Sequence, residues 1–207
     1  MILVHHLQNS RSQRVLWLLE ELGFPFEVRR YERDPKTLLA PPELRRIHPL
    51  GKAPIVEVDG LTLVETGAIV EYLVTRADGR LGPPADPVAA QRWRQYLHYA
   101  EGSMMPPLFG LLVVRRLGLL GRPALGPLLR MFAAYLRWLE AELAGRDWFA
   151  GDVFTAADVM MSFPLEAATQ RAGLDRQYPR LLAWLERIHA RPAYRSALNR
   201  GGPYVYA

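Results

Sequence analysis

The chain of 207 residues is 50% hydrophobic and 23% charged, the balance of a globular protein able to bury a core rather than of a disordered one. Its formal net charge of +5 comes with arginines scattered in pairs such as Arg29-Arg30, Arg45-Arg46 and Arg115-Arg116, which suits a solvated surface or small anions and fits a nucleic-acid tract least well. There is no cysteine, so disulfides, Cys-ligated metals and a Cys nucleophile are excluded, and any thiol chemistry must use a thiol brought by the ligand.

Met1 to Leu7 reads as a short buried strand. A polar turn over Asn9 to Ser12 follows, and Val15, Leu18, Leu19 and Leu22 then recur at helical spacing until Gly23 and Pro25 stop the helix. Phe26 to Tyr31, aromatic and β-branched, predicts a second strand. The opening is therefore a βαβ unit with a right-handed crossover, and its first strand-to-helix turn is a favoured ligand position. Beyond a Pro-rich connection, Ile55 to Val58 and Leu61 to Val64 flank Asp59-Gly60, a two-residue hairpin signal. Thr66 to Val74 reads as a short helix.

The Gly/Pro-rich stretch RADGRLGPPADP, Arg76 to Pro87, has no apolar periodicity and marks a boundary: one domain over 1–76, a linker over 77–86 and a second domain over 87–207. The second domain is helical in pattern throughout. Asp86-Pro87 is a cap followed by proline at the first helical position, and Trp93, Tyr96, Leu97, Ala100 and Met104 share a face. Leu128, Phe132, Tyr135, Leu136, Leu139 and Leu143 form a second stripe. Thr155-Ala156-Ala157-Asp158 resembles a capping box with Asp in place of Glu or Gln, and Pro164 inside the same helix predicts a kink. Pro179 opens a last helix carrying Leu181, Leu185 and Ile188.

The longest apolar run, Met104 to Val114, spans 11 residues and contains two prolines, too short to cross a membrane. With no basic segment leading into an apolar one at the N-terminus, the chain reads as soluble and cytoplasmic, with neither membrane nor nucleic acid as partner. His5 and His6 end the first strand and read as core or packing residues. No His, Asp and Glu spacing completes a metal site.

Four separated stretches carry a resemblance: SRSQRVLWLLEELGFPFE from Ser10, HPLGKAP from His48, ETGAIVEYL from Glu65 and FTAADVMMSFPLE from Phe154. In this order they resemble the glutathione transferases, and YERDPKTLLAPPELRRIHPLGK between the second and third strands is similar to bacterial and fungal members. The resemblance implies a thioredoxin-like α/β N-terminal domain that holds glutathione, an all-α C-terminal domain that completes an apolar pocket, and a homodimer.

Glutathione presents two carboxylates, an ammonium and a thiol, and the resemblance assigns residues to each. Ala53-Pro54 carries the family's cis-proline, which turns the Ala53 backbone to pair with the ligand's peptide like an added strand. Lys52 offers a charge to the glycyl carboxylate. Glu65 meets the ammonium, and Thr66, standing where the family usually has Ser, meets the γ-glutamyl carboxylate at a helix N-terminus. Thr155 and Asp158 correspond to a folding motif and are read as structural. Tyr99 and Met104 are candidate co-substrate contacts.

The family places near Asn9 to Ser12 the group that lowers the thiol pKa. A thiol near pKa 8.5 is a few per cent thiolate at pH 7, and a drop of about two units, roughly 2.7 kcal/mol, makes it mostly nucleophile. No Tyr lies between Met1 and Glu27, so the hydroxyl comes from Ser10 or Ser12 if the family mechanism holds. Ser10 is the first choice, with Asn9, Arg11 and Ser12 as alternatives. Ser10 also reads as a helix cap, a role compatible with facing a thiolate. The implied activity is attack of the glutathione thiolate on hydrophobic electrophiles. Its rivals are a glutathione-dependent peroxidase or disulfide reductase and a non-catalytic interaction module.

Overall fold

The computed structural model of the chain describes residues 1 to 207. Ile2–Leu7 is strand β1, and it is buried at almost every position because it is central in the sheet. It runs parallel to β2 (Phe26–Tyr31), with Ile2 opposite Phe26 and Leu7 opposite Tyr31. On its other edge it pairs antiparallel with β3 (Ile55–Val58), which pairs antiparallel with β4 (Leu61–Leu63), giving the order β2-β1-β3-β4. Asp59 and Gly60 join β3 to β4 with φ of 50° and 79°, the left-handed pair whose twist matches that of the flanking strands.

Helix α1 (Ser12–Leu22) connects β1 to β2 and buries Val15, Leu16, Trp17, Leu18, Leu19 and Leu22. It ends at Gly23 in the left-handed conformation, with the next N–H, that of Phe24, returning to the Leu19 carbonyl. Helix α2 (Glu43–Ile47) lies in what the sequence reads as a Pro-rich connection; five residues are too few to show a helical period. Helix α3 (Thr66–Arg76) follows β4.

The chain divides into two compact units, with one cut between Gly82 and Pro83, inside the 77–86 linker, and a second at Ile188 that the sequence pattern does not show. One unit gathers Met1–Gly82 with His189–Val205, and the other holds Pro83–Ile188. The returning segment contains α9 (Pro192–Gly201), which packs on α1. Tyr194 meets Trp17 edge-on with centroids 5.2 Å apart, and Arg191 grips Glu21 through two bonds of 2.5 and 2.8 Å. Arg30 on β2 donates to the carbonyls of Asn199 and Arg200 at the end of α9. The sequence pattern takes the helix opened by Pro179 as the last, so α9 is a further helix that it does not show, and a stripe would in any case reveal a buried face but not what covers it.

In the second unit α4 (Pro87–Tyr99) starts at Asp86, whose carboxylate accepts the Ala89 N–H at 2.7 Å. It passes through a π turn over Ala100–Met104 into α5 (Met105–Arg116). Pro106 and Pro107, which lack N–H groups to return to the preceding turn, follow directly and account for the widened turn. A 3-10 turn, Gly118–Gly121, leads to α6 (Arg122–Glu142). Gly121 is required there, because a Cβ would stand 1.9 Å from the Val114 carbonyl oxygen. Gly121→Ala is expected to lose about 1–3 kcal/mol of stability, read from the urea midpoint.

Helix α7 (Ala156–Arg171) continues through Pro164 and is buried from Ala156 to Ala168, so it shows no stripe. Its capping box is complete, Thr155 accepting from the helix start and Asp158 reaching back to the Thr155 N–H. The Asp158 carboxylate also accepts from the Phe149 N–H at 3.0 Å and from Trp184 Nε1 at 3.3 Å on α8 (Pro179–His189). Burial pushes its carboxyl up to about 6, against the pull of the Phe149, Thr155 and Trp184 bonds.

Candidate functional site

The turn between β1 and α1 brings two serines and a histidine into one hydrogen-bonded chain. Asn9 takes φ 53°, a conformation Asn tolerates, and Arg11 occupies the position before the first turn of α1 without a capping side-chain bond. Ser10, expected as the cap, lies one residue earlier, yet its Oγ accepts the Ser12 N–H at 3.2 Å. Ser10 Oγ and Ser12 Oγ are 2.7 Å apart, and Ser12 Oγ is 2.9 Å from His6 Nδ1. Ser12 Oγ also accepts the Leu7 N–H at 3.2 Å and lies 3.3 Å from the Leu7 carbonyl. Ser12 is fully buried, whereas Ser10 keeps 5% of its surface.

His6 fixes which way this chain points. Burial, assisted by the charge of Arg30, pushes its pKa down to about 4, so at neutral pH the ring carries one N–H. With that proton on Nδ1, His6 donates to Ser12 and Ser12 donates to Ser10. The N–H and O–H of Ser12 then fill both lone pairs of Ser10, whose own hydrogen is free to donate outward. With the proton on Nε2 the chain reverses: Ser12 donates to His6, Ser10 donates to Ser12, and Ser10 offers a lone pair instead. The tautomer of a residue with no direct access to a ligand decides whether Ser10 is donor or acceptor.

The other candidates of the turn are placed differently. Asn9 Oδ1 accepts the Val205 N–H of the C-terminal tail at 3.0 Å. The Arg11 carbonyl accepts from Arg14 Nε at 3.5 Å, and Arg14 Nη2 donates to Thr66 Oγ1 at 3.4 Å. Arg14 is 1% exposed, and one buried side chain thus spans from the turn to the start of α3. Sequence reading does not single out Arg14, whose neighbours Val15 and Leu16 dominate the pattern, and it treats His6 as packing. His5 keeps a structural role: its ring nitrogens meet the Tyr31 hydroxyl at 2.9 Å and Glu57 at 2.6 Å.

At the head of α3, Glu65 adopts φ 68° and ψ 116°, a conformation costly for a residue with a side chain and held by its surroundings. Its carboxylate is exposed and makes no ion pair. Thr66 is buried at the first helical position, next to the unpaired N–H groups of the first turn. The Ala53-Pro54 peptide is cis; Pro54 is buried, Ala53 half-buried beyond the last paired residue of β3, and Lys52 exposed. A free carboxylate, a helix N-terminus and an exposed ammonium in one unit match an ammonium and two carboxylates on a single ligand.

Two candidates in the helical unit fare less well. Met104 has no exposed surface and packs in the core, where it presents nothing to a co-substrate. Tyr99 is half-buried with its ring edge-on to Tyr96 and Tyr135 and 5.0 Å from Trp138, and burial pushes its phenol upward.

Residues 1–75 match the family described as glutathione S-transferase, N-terminal domain, and residues 122–187 match glutathione S-transferase, C-terminal domain. Glutathione S-transferase 3 of Schizosaccharomyces pombe is 34% identical over 218 residues, covering 97% of this chain and 88% of the relative. The chain belongs to the glutathione S-transferase family. A glutathione S-transferase structure from Actinobacillus pleuropneumoniae superposes on this family member with a TM-score of 0.89 at 32% identity, covering 99% of this chain and 94% of that one. A sphingomonad glutathione S-transferase solved with glutathione has a TM-score of 0.80 at 25% identity over 97% and 98% of the two chains. The shared fold is a mixed four-stranded sheet domain joined to helices, the thioredoxin-like α/β plus all-α arrangement.

Proposed function

We propose that this chain is a glutathione transferase in which the Ser10 hydroxyl donates a hydrogen bond to the glutathione thiolate. The observation that carries the reading is the chain from His6 through Ser12 to Ser10, which in one tautomer leaves a single outward donor at the N-terminal turn of α1. The thiol proton leaves to solvent, Ser10 keeps its own, and the helix dipole adds to the stabilisation of the sulfur anion. The sulfur then bonds to an electrophilic carbon of an apolar co-substrate, and the leaving group departs with the electron pair.

The rest of the ligand is held by residues that supply charge where it is needed. Glu65 takes the ammonium, Thr66 with the α3 N–H groups takes the γ-glutamyl carboxylate, Lys52 takes the glycyl carboxylate, and the Ala53 backbone beside cis-Pro54 pairs with the peptide. Arg14, bonded to Thr66 Oγ1, positions that hydroxyl from behind. Calorimetry with glutathione, followed by rates with an aryl halide, an organic peroxide and a small disulfide, tests the reading. Absence of glutathione binding, or reaction only with peroxide or disulfide, overturns it. Glu65→Gln removes the charge while keeping the shape and is expected to weaken glutathione binding by about tenfold, measured by the same calorimetry.

A further inference from the structure

The turn joining α5 to α6 presents leucines to solvent where a soluble surface usually carries charge. Leu119 is 73% exposed and Leu120 86%, with Leu117 at 54% just after α5 and Phe109 at 61% on α5 itself. Single exposed leucines are ordinary, but six exposed large apolar residues in a stretch of twelve, Leu112 and Val113 among them, form a patch that asks for an occupant.

The charges around the patch identify its chemistry. Between Glu101 and Glu140 the chain contains no Asp or Glu, while Arg115, Arg116, Arg122, Arg130 and Arg137 are all exposed. Three of these five flank the turn itself. At 1.5 Å per residue Glu140 lies about 27 Å along α6 from Arg122, beyond two Debye lengths at physiological salt. The tip is therefore apolar at its apex, and the charges that its own two helices place beside it are all cationic. Gly121, which approaches the Val114 carbonyl more closely than any side chain allows, holds the turn tightly against α5.

We infer that the α5–α6 tip is a contact surface for the headgroup region of an anionic lipid bilayer, entered by Leu119 and Leu120 and attracted by the flanking arginines. Arginine stems extend apolar surface while their charged heads stay at the phosphate level, so the ring and the apex favour the same depth. No helix of the chain is long and apolar enough to cross a membrane, and the contact is peripheral. A second copy is a poorer occupant, since pairing the same patch on two molecules sets arginine against arginine. A nucleic acid would use the arginines and leave the leucines in water.

The full chain is sedimented with vesicles of phosphatidylcholine alone and with about one third phosphatidylserine. Binding to the anionic vesicles at low salt, release by added salt, and about a tenfold loss of partitioning in the Leu119→Ser/Leu120→Ser variant are expected. Both sites are exposed, and unchanged circular dichroism and glutathione binding of the variant separate this surface from the thiol site. No sedimentation of the wild type with anionic vesicles overturns the inference. So does full retention of the leucine variant on those vesicles or on duplex DNA, which marks a charge-only surface, or a halved particle mass in that variant, which marks a dimer contact.

Discussion

Asp158→Ala is expected to lower the stability of the chain by about 4 kcal/mol, read as a fall in the urea midpoint. The carboxylate is wholly buried and takes hydrogen bonds from the Phe149 and Thr155 N–H groups and from Trp184 Nε1, joining the loop before α7, the helix start and α8. Alanine leaves all three donors without an acceptor in a place water does not reach. Asp158→Asn keeps one acceptor oxygen and loses less.

The asparagine variant also exposes an opposition in pH dependence. The folded-state pKa of Asp158 is raised from 3.8 to about 6, so the folded chain takes up a proton first and gains stability as pH falls through that window. His6 is lowered from 6.5 to about 4, so the unfolded chain takes up its proton first and stability is lost as pH falls from 6.5 to 4. The two slopes oppose each other in the wild type. Removing the carboxyl leaves the His6 slope uncompensated, and Asp158→Asn is expected to lose stability more steeply than the wild type between pH 6 and 4, followed by urea titrations across that range.

The second large effect concerns the thiol. Ser10→Ala is expected to raise the pKa of bound glutathione by about one unit, lowering the thiolate fraction near neutral pH about threefold, measured by ultraviolet titration of the thiolate in the complex. Ser12→Ala removes the link to His6 and strips the buried Leu7 N–H of an acceptor, so it raises the thiol pKa less and adds about 1–2 kcal/mol of instability. His6→Leu shifts the thiol pKa in the same direction without touching the ligand, through the lost orientation of the two hydroxyls. An unchanged thiol pKa in Ser10→Ala, with a shift in Ser12→Ala or Asn9→Ala instead, moves the donor to that residue.

What was legible in the sequence follows from how local each rule is. The Asp59-Gly60 hairpin, the Asp86-Pro87 start and the Thr155–Asp158 box each depend on four residues or fewer, and each is found where it reads. Adjacent residues of a strand point to opposite faces, so His5 and His6 are both core residues only if the sheet is covered on each side. Both are buried, at 0% and 2%, because β1 is flanked by strands on both edges and covered on both faces. Which of them reaches Ser12 is a matter of the turn geometry. The π turn over Ala100–Met104 and the burial of Arg14 need the packed structure, since neither leaves a periodic trace.

The return of α9 to α1 has a consequence for synthesis. Residues 1 to 82 leave the ribosome well before His189 to Val205, and 107 positions separate Gly82 from His189. At roughly 5–20 residues per second, about 5–20 s pass while the Trp17 and Glu21 face of α1 waits for Tyr194 and Arg191. During that interval the nascent sheet unit carries an open apolar groove, and α9, made after the helical unit, closes the domain begun before it.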